Sequence, residues 1–154
     1  MDIAQALATK LRADAVILSL LPSGANGVIL AETLMTGRVP AAVILPCIAV
    51  QDKGDSGGVN AFPLIQTVID LRVYDNAQPN ALTYININNI MDECVRCLHR
   101  VPFTTAMSYQ SLYEVHYDNY RSPNSFDDLL KLPFRIVRFR AYTVSRFYDQ
   151  RGYV

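Results

Sequence analysis

The sequence predicts an α+β fold in which a mixed or mainly antiparallel sheet packs against an N-terminal helix and a central helix. Two long apolar runs, residues 39–50 and 62–74, flank a polar, glycine-rich segment at residues 51–60. Residues 2–21 and 79–99 carry apolar side chains three or four positions apart. That spacing places them on one face of a helix, whereas runs of branched apolar residues are typical of strands.

The composition favours one folded domain over residues 1–154, with residues 148–154 as an extended C-terminal tail. A chain with 51% hydrophobic residues can bury a core without disulfides or a metal. Fourteen basic and fourteen acidic side chains cancel, so no net charge draws the chain to nucleic acid or an anionic membrane. No apolar run reaches the roughly 20 residues of a spanning helix. The three cysteines are too few for a secreted disulfide framework, so we expect a reducing cytoplasm and no membrane segment.

The N-terminal helix is expected over residues 2–21, bent near Asp14 and ending at Pro22. Residues 28–36 are ambiguous and receive no assignment. The strand at residues 39–50 lacks polar alternation, which indicates cover on both faces, either within one chain or by a neighbouring copy. Pro46 indicates a bulge or an edge position in that strand.

The strand at residues 62–74 alternates partly, which predicts one buried face and one mostly wet face. The buried face holds Ile65, Thr67, Ile69, Leu71 and Val73, and the wet face holds Gln66, Val68, Asp70, Arg72 and Tyr74. The central helix follows, with proline tolerated in its first turn. Its apolar stripe consists of Tyr84, Ile87, Met91, Cys94 and Leu98.

Two further strands are expected at residues 109–117 and 132–147. Ser125 and Asp128 are spaced as a capping pair for one helical turn over residues 126–131. The alternation of the last strand changes phase between Ile136 and Val137, which indicates a bulge or a bend.

The residues at 54–58 spell Gly-Asp-Ser-Gly-Gly, the sequence around the nucleophile of chymotrypsin-like proteases. Such a serine needs a histidine base and a buried acid. In those proteases the histidine and the acid precede the serine, whereas His99 and His116 follow Ser56. A hairpin loop, in which glycine allows positive φ, is therefore preferred over a hydrolase that uses Ser56.

Cys94 and Cys97 form a C-x-x-C pair, which can serve redox chemistry or bind zinc. The pair lies near the C-terminus of the predicted helix, whereas a stabilised thiolate needs the N-terminus. His99 could add a third zinc ligand, but there is no second cysteine pair. We therefore predict thiols that pack in the core, and no metal site or cofactor.

The last strand interleaves four arginines with aromatic residues. This pattern can bind nucleic acid, because arginine binds phosphate and aromatic rings stack on bases. An ordinary strand with a wet face and a subunit contact has the same pattern, since interfaces are rich in arginine and aromatic residues. We prefer the subunit contact and keep the nucleic-acid-binding or packaging accessory as the alternative. The residues are Arg135, Arg138, Arg140 and Arg146, with Phe134, Phe139, Tyr142 and Phe147.

Over residues 2–147 the order of elements resembles the tail terminator, or tail completion, proteins of long-tailed bacteriophages. The N-terminal amphipathic helix, the apolar strand into a polar loop, the Asp70-Leu71-Arg72-Val73-Tyr74 run and the following helix carry the likeness. The stretch Leu-Pro-Phe-Arg-Ile-Val-Arg-Phe-Arg-Ala-Tyr at residues 132–142 is similar to the final strand of that family. Residues 108–131 are longer than expected for a compact member.

The resemblance implies a structural protein without catalytic residues that assembles as a homo-oligomeric, usually hexameric, ring at the head-proximal end of the tail tube. Such a ring ends tube polymerisation and joins the tail to the head connector, and genome DNA can pass through it without specific binding. Its expected partners are the tail tube protein and the connector or neck proteins. Its expected location is the neck region of the virion, and the host cytoplasm during assembly.

The candidate interface residues come from the polar loop, the two arginine-bearing strands and the tail, because loops and arginine or aromatic positions often make interfaces. They are Asp52, Lys53, Asp55, Arg72, Tyr74, Arg138, Arg140, Arg146, Phe147, Tyr148, Arg151 and Tyr153.

Overall fold

The structure is a computed structural model that describes residues 3–34, 37–55, 64–76, 81–101 and 110–145. Within these ranges the chain forms helices α1 (Ile3–Arg12), α2 (Ala15–Leu20) and α3 (Ala81–Leu98). Its strands are β1 (Val28–Leu30), β2 (Cys47–Asp55), β3 (Leu64–Tyr74), β4 (Gln110–Arg121), β5 (Ser125–Asp127) and β6 (Leu132–Ser145). Two 3₁₀ turns, Gly24–Gly27 and Ala31–Leu34, flank β1.

The strands form one mixed sheet in the order β1-β2-β3-β6-β4, and β5 pairs with the start of β6. Only the β1–β2 pair is parallel among the strand pairs of the described ranges. The longest pairing joins β3 to β6 without interruption, from Leu64 opposite Val144 to Tyr74 opposite Phe134. The predicted α+β class with a mixed sheet is therefore confirmed.

The main core lies between the helices and one face of the sheet, which we call the inner face. Fully buried side chains of the three helices meet those of the central strands, so the sheet and the helices share one apolar interior. Apolar burial of this kind contributes about 25 cal/mol per Å² to folding. The contributors are Leu7, Leu11 and Ile17 from α1 and α2, Ile87, Met91 and Leu98 from α3, and Ile69, Leu71, Val137 and Phe139 from the sheet.

The N-terminal segment forms two helices, so the expectation of one bent helix over residues 2–21 is wrong in detail. The break falls at Asp14, where the bend was expected. Asp14 caps α2, and its Oδ1 accepts hydrogen bonds of 3.0 Å from the N–H groups of Val16 and Ile17. In a continuous helix these N–H groups would bond to carbonyl groups of the preceding turn. The Asp14 side chain accepts them instead, which favours the start of a new helix at this residue.

The opposite face of the sheet, which we call the outer face, carries a second apolar cluster. This cluster contains Cys47, Ala49, Tyr74 and Leu132, with Val39, Val43 and Leu45 packed against it. The strand predicted at residues 39–50 begins only at Cys47, directly after the cis peptide bond that precedes Pro46. A proline cannot donate to the ladder, so the strand starts beyond it.

Residues of this same chain therefore cover β2 on both faces, with Ile48 and Val50 on the inner side and Cys47 and Ala49 on the outer side. A neighbouring copy is not needed to explain the apolar character of this strand. The predicted wet face of β3 is also wrong in part, because Gln66, Asp70 and Tyr74 are buried. The inner-face residues Thr67, Ile69, Leu71 and Val73 are buried as expected, whereas Ile65 is partly exposed.

The segment after β4 is a strand and a turn, so the predicted helical turn at residues 126–131 is wrong. Asp127, and not Asp128, supplies the local hydrogen bonds, since its Oδ1 accepts 3.0 Å bonds from the N–H groups of Leu129 and Leu130. An aspartate that bonds the backbone two residues ahead makes a turn in place of a helix. We call residues 125–134 the β5–β6 hairpin.

The phase change in β6 is not a bulge in that strand. The pairing of β6 with β3 is continuous through Ile136 and Val137, whereas the register shifts lie between β4 and β6. The apolar residues change side because Phe134 joins the outer cluster, while Val137, Phe139 and Ala141 face the inner core. Because the two ends of β6 bury opposite faces, its apolar and polar residues do not alternate in one phase along the whole strand.

The central helix is confirmed over Ala81–Leu98, while its predicted start at residues 79–80 lies outside the described residues. Ile87, Met91, Cys94 and Leu98 are fully buried against the sheet, and Tyr84 is partly buried. Its C-terminal end also covers the free edge of β4. The N–H of Arg100 donates to the carbonyl of Val115 (2.8 Å), and the N–H of Tyr117 donates to Nδ1 of His99 (2.9 Å). These bonds block strand addition at that point, which is how natural sheets protect an edge.

Candidate assembly surface

The open half of the outer face carries paired charges. Arg138 on β6 makes a bidentate pair with Asp70 on β3, with Nε to Oδ1 at 2.8 Å and a second N–H to Oδ2 at 3.1 Å. The carboxylate of Asp70 is buried, whereas the Arg138 side chain is 32% exposed and lies over the ring of Tyr120 at 4.6 Å. The hydrogen bond to Asp70 raises the pKa of Arg138 above its usual range, against the effect of burial.

Two further arginines of β6 are also bonded. Arg140, on the outer face, donates to Asp118 at 2.7 Å. Arg135 lies on the helix side of the sheet, where it donates to the carbonyl of Ser122 at 2.8 Å and to the side chain of Asn88 of α3. Phe139, expected beside them, lies in the inner core. A guanidinium that already binds a carboxylate has less capacity for phosphate. The described part of this strand therefore has the features of a charge-balanced protein surface more than those of a phosphate-binding one.

The predicted loop begins within β2, which runs on to Asp55. Asp52 and Lys53 are exposed at this end, as a contact surface requires. Gly54 has φ of +93°, a conformation that favours glycine, and its N–H donates to Oδ1 of Asp52 at 2.7 Å. Asp55 pairs with Thr67 of β3. Ser56, and with it the hydrolase hypothesis, lies outside the described residues.

Arg72 and Tyr74 lie side by side on the outer face but differ in accessibility. Tyr74 is buried in the second cluster, so its ring cannot be an exposed contact as predicted. Its hydroxyl donates to Oδ2 of Asp127 at 3.2 Å, and burial raises its pKa. Arg72 is partly exposed, with its guanidinium 5.7 Å from the centre of the Phe134 ring.

The other predicted contacts, Arg146, Phe147, Tyr148, Arg151 and Tyr153, lie outside the described residues, as does the tail at residues 148–154. They remain predictions.

The cysteines are buried, as expected from their apolar surroundings. Burial raises the pKa of the Cys97 thiol to about 11 and that of Cys47 to about 12, and it also raises the pKa of Cys94. A thiol is nucleophilic only as the thiolate, so such groups are unreactive at neutral pH. Across the described ranges, no group of three or more His, Cys, Asp or Glu residues could hold a metal ion.

Sequence reasoning missed a cleft on the outer face. Its walls come from the 3₁₀ turn Ala31–Leu34, from β2 and β3, and from the β5–β6 hairpin, and its volume is about 170 Å³. Gln51, Asp127 and Leu129 line it together with Arg72. The signal in the sequence was the adjacent apolar pair Leu129-Leu130 beside Asp127, but the assignment of a helical turn placed this pair on the wrong element.

None of the helices in the described part of the chain is long and apolar enough to cross a membrane. No protein-family model matches the chain, and no curated protein matches it either. A solved structure does match: one chain of the "Virion of native gene transfer agent (GTA) particle" superposes with a TM-score of 0.62. The two chains are 16% identical, and the match covers 93% of this chain and 94% of the other. At this identity the likeness establishes a shared fold.

Proposed function

We propose that this chain is a non-enzymatic structural protein of a phage-like particle, which forms a ring at the neck, ends polymerisation of the tail tube and joins the tail to the head connector. The observation that carries the proposal is the likeness to a chain of a gene transfer agent virion, which spans nearly the whole length of both chains. A fold shared from end to end supports a building block of the same kind more strongly than a shared motif would.

The resemblance of the sequence to tail terminator proteins supports the finer role, because it rests on the order of elements and not on the superposition. This chain has the N-terminal helix, the mixed sheet and the central helix that the resemblance implies. We propose a hexameric ring as in that family, with the tail tube protein on one side and connector proteins on the other.

The outer face supports assembly by its chemistry. The helices α1 and α3 both pack in the inner core, while the open half of the outer face presents the half-exposed Arg138, Arg140 and Tyr120. Arginine and tyrosine are enriched in protein–protein interfaces. Because their partners Asp70 and Asp118 balance the arginine charges, the surface suits a protein partner, and DNA can pass the ring without specific binding.

The direct test is electron cryomicroscopy of the complete particle with this chain carrying a terminal tag. A ring of tagged density at the head-proximal end of the tail is expected. Density within the capsid shell, or a particle that lacks the chain, would contradict the role.

A DNA-retention assay addresses the alternative of a packaging accessory. We expect weak retention on double-stranded DNA that does not change when Arg138 and Arg140 are both replaced by glutamine. Tight binding that falls steeply with salt, and falls further in the double variant, would favour the accessory, because phosphate contacts release counterions.

A further inference from the structure

The end of α3 is held on the free edge of β4 by two hydrogen bonds, and one of them depends on a histidine. The N–H of Arg100 donates to the carbonyl of Val115, a bond between two backbone groups. The N–H of Tyr117 donates to Nδ1 of His99 at 2.9 Å, so a side chain takes the place of the carbonyl that a neighbouring strand would supply. The protection of this edge therefore depends on the state of one imidazole ring.

The bond from Tyr117 exists only while the His99 ring is neutral. A ring nitrogen that accepts a hydrogen bond carries no proton, so the neutral ring has its proton on Nε2. Both nitrogens of an imidazolium are donors, so a protonated ring would turn an N–H toward the N–H of Tyr117. Histidine is the side chain that ordinarily changes its charge between about pH 5 and 8. Because His99 is exposed, a proton from the solvent can reach it.

The acid beside this site is already engaged by other donors. The carboxylate of Glu114 pairs with Nε2 of His116 at 2.9 Å and with Nε of Arg100 at 3.4 Å. The hydrogen bond from His116 lowers the pKa of Glu114 below its ordinary value, so this carboxylate stays charged while histidines titrate. The rings of His99 and His116 meet edge to face, with 5.7 Å between their centres. A positive charge on His99 would therefore face the cation Arg100 and a second histidine that can also gain a proton.

The charged groups of the neighbouring elements also have partners within this chain. They are Arg140 of β6 with Asp118 of β4, and Arg96 of α3 with Asp14 and Glu93, while the ring of Tyr142 on β6 packs against that of His116. Among the described residues, a protonated His99 therefore gains no new salt bridge that would replace its bond from Tyr117.

The backbone at the end of α3 also favours release. Arg100 has φ of +57°, in the left-handed region that suits glycine and is unfavourable for a residue with a Cβ atom. Such a conformation persists where the surrounding contacts hold it. The contacts here are the bond from Arg100 to Val115 and the bond from Tyr117 to His99, so the loss of one weakens the hold on the strained residue.

We propose that His99 is a pH-sensitive switch at the edge of β4. In its neutral form it accepts the N–H of Tyr117 and keeps the end of α3 on the strand. When the ring gains a proton it releases this N–H, and the edge of β4 at Val115 and Tyr117 opens to solvent. The switch is therefore closed above the pH range in which histidine titrates, and it opens as the pH falls through that range. This inference goes beyond the proposed function and does not depend on it.

Amide hydrogen exchange followed by NMR tests the switch, because the protection factor of an amide reports how often its hydrogen bond opens. The ring nitrogen signals of His99 show in the same samples when the ring gains its proton. As that happens, the protection factor of the Tyr117 amide is expected to fall by about fivefold or more, the effect of losing one hydrogen bond. The amide of Leu71, on the strand between β2 and β6, is expected to keep its protection and so to show that the subunit stays folded.

Two variants separate the roles of the neighbouring histidines. His99→Asn keeps an acceptor, Oδ1, at the position of Nδ1 but does not titrate, so the Tyr117 amide is expected to stay protected over the whole pH range. His116→Gln removes the other titrating ring and keeps an N–H donor for Glu114. In this second variant the pH response of the Tyr117 amide is expected to persist.

Three results would overturn the switch. The first is a Tyr117 amide whose protection does not change while His99 gains its proton. The second is an equal loss of protection in His99→Asn, and the third is the disappearance of the response in His116→Gln, because each would assign the response to another group. None of these results bears on the proposed ring, which imaging of the complete particle tests separately.

Discussion

At the scale of single residues, a few polar side chains decide where elements begin and how charges are buried. Asp14 starts α2 and also receives a 2.7 Å bond from Arg96 of α3, so one carboxylate both caps a helix and ties two helices together. Asp70 places a charge in the sheet, where only the guanidinium of Arg138 makes it tolerable. Substitutions at Asp14 and at Asp70 therefore have specific expected effects on stability.

Replacing Asp14 by alanine is expected to lower the free energy of unfolding by about 1–2 kcal/mol at pH 7, the usual value of an N-cap. Asp14→Asn keeps the capping oxygen and is expected to lose less. Urea denaturation measures both. Equal losses in the two variants would show that the charge, and not the cap, matters.

The same residue predicts a dependence on pH. Burial acts to raise the pKa of Asp14, but hydrogen bonds from Arg96 and from the N–H groups of Ile17 and Val16 outweigh it and lower the pKa below its ordinary value of 3.8. The charged form is therefore favoured by folding, and its contribution is complete above pH 3.8 and disappears as the pH falls through the lower folded pKa. The stability difference between the native chain and Asp14→Asn is expected to vanish at such acidic pH. A difference that persists there would contradict this.

The Asp70–Arg138 pair predicts an asymmetric double-mutant cycle. Arg138→Leu leaves a buried carboxylate without its partner and is expected to cost about 3–5 kcal/mol. Asp70→Asn is expected to cost less, because the guanidinium is 32% exposed and water can reach it. The double variant is expected to be more stable than Arg138→Leu alone. Additive losses, measured by urea unfolding, would rule out a specific pair.

At the scale of elements, α3 and the inner face of β3 followed from the sequence, because their apolar side chains repeat with the period of the backbone. The outer face of β3 did not follow, since segments elsewhere in the chain bury Gln66, Asp70 and Tyr74. The segment at residues 39–46 did not follow, since its apolar residues reflect packing on the outer cluster and not membership of a strand. The prediction of a helical turn at residues 126–131 was wrong for a different reason. Ser125 and Asp128 fit a capping pattern, but β6 pairs with Ser125 and Phe126, and this tertiary contact overrides the local signal.

For the candidate assembly surface, the sequence predicted which strand each arginine lies on but not which residues contact each other across strands. Arg72, Arg138 and Arg140 were placed on the correct strands because the β3 alternation and the arginine spacing of β6 set their face. The pairing of Arg138 with Asp70 and of Arg140 with Asp118 depends on which strands are neighbours in the sheet, and no spacing within one strand contains that information. The cleft was missed for the same reason, since its lining residues come from four separate segments.

The helix α3 predicts a contrast between its two faces. Met91→Ala is expected to lower the free energy of unfolding by about 2–5 kcal/mol, because the side chain is fully buried and its removal leaves a cavity. Ile85→Ala on the exposed face is the matched control, and it is expected to change stability by less than about 0.5 kcal/mol. Similar losses in the two variants, by urea unfolding, would place the core elsewhere.

At the scale of the whole molecule, the fold is an asymmetric two-layer unit. One face of its sheet is covered by helices, and the described residues cover the other face only in part. A unit with two dissimilar broad surfaces is suited to head-to-tail assembly, and a closed ring leaves no such surface unpaired. The proposed function therefore uses the outer face of the sheet, which does not contribute to the main core.

The protection of the cysteines reports on the whole fold. The native protein is expected to leave all three thiols unreacted with a thiol reagent at pH 8, because burial raises their pKa values and blocks access. The protein in strong denaturant is expected to react with three equivalents. Rapid reaction of Cys94 and Cys97 in the native state would contradict their place in the core.

The most direct measurement of the proposed role is the length of tails that assemble with and without this chain, taken from electron micrographs of particles produced in its presence and absence. With the chain present, tails of one uniform length attached to heads are expected. Without it, the account predicts tubes that exceed that length, vary in length and do not join heads. Tails of normal length and normal attachment in its absence would contradict the proposal that this chain terminates the tube.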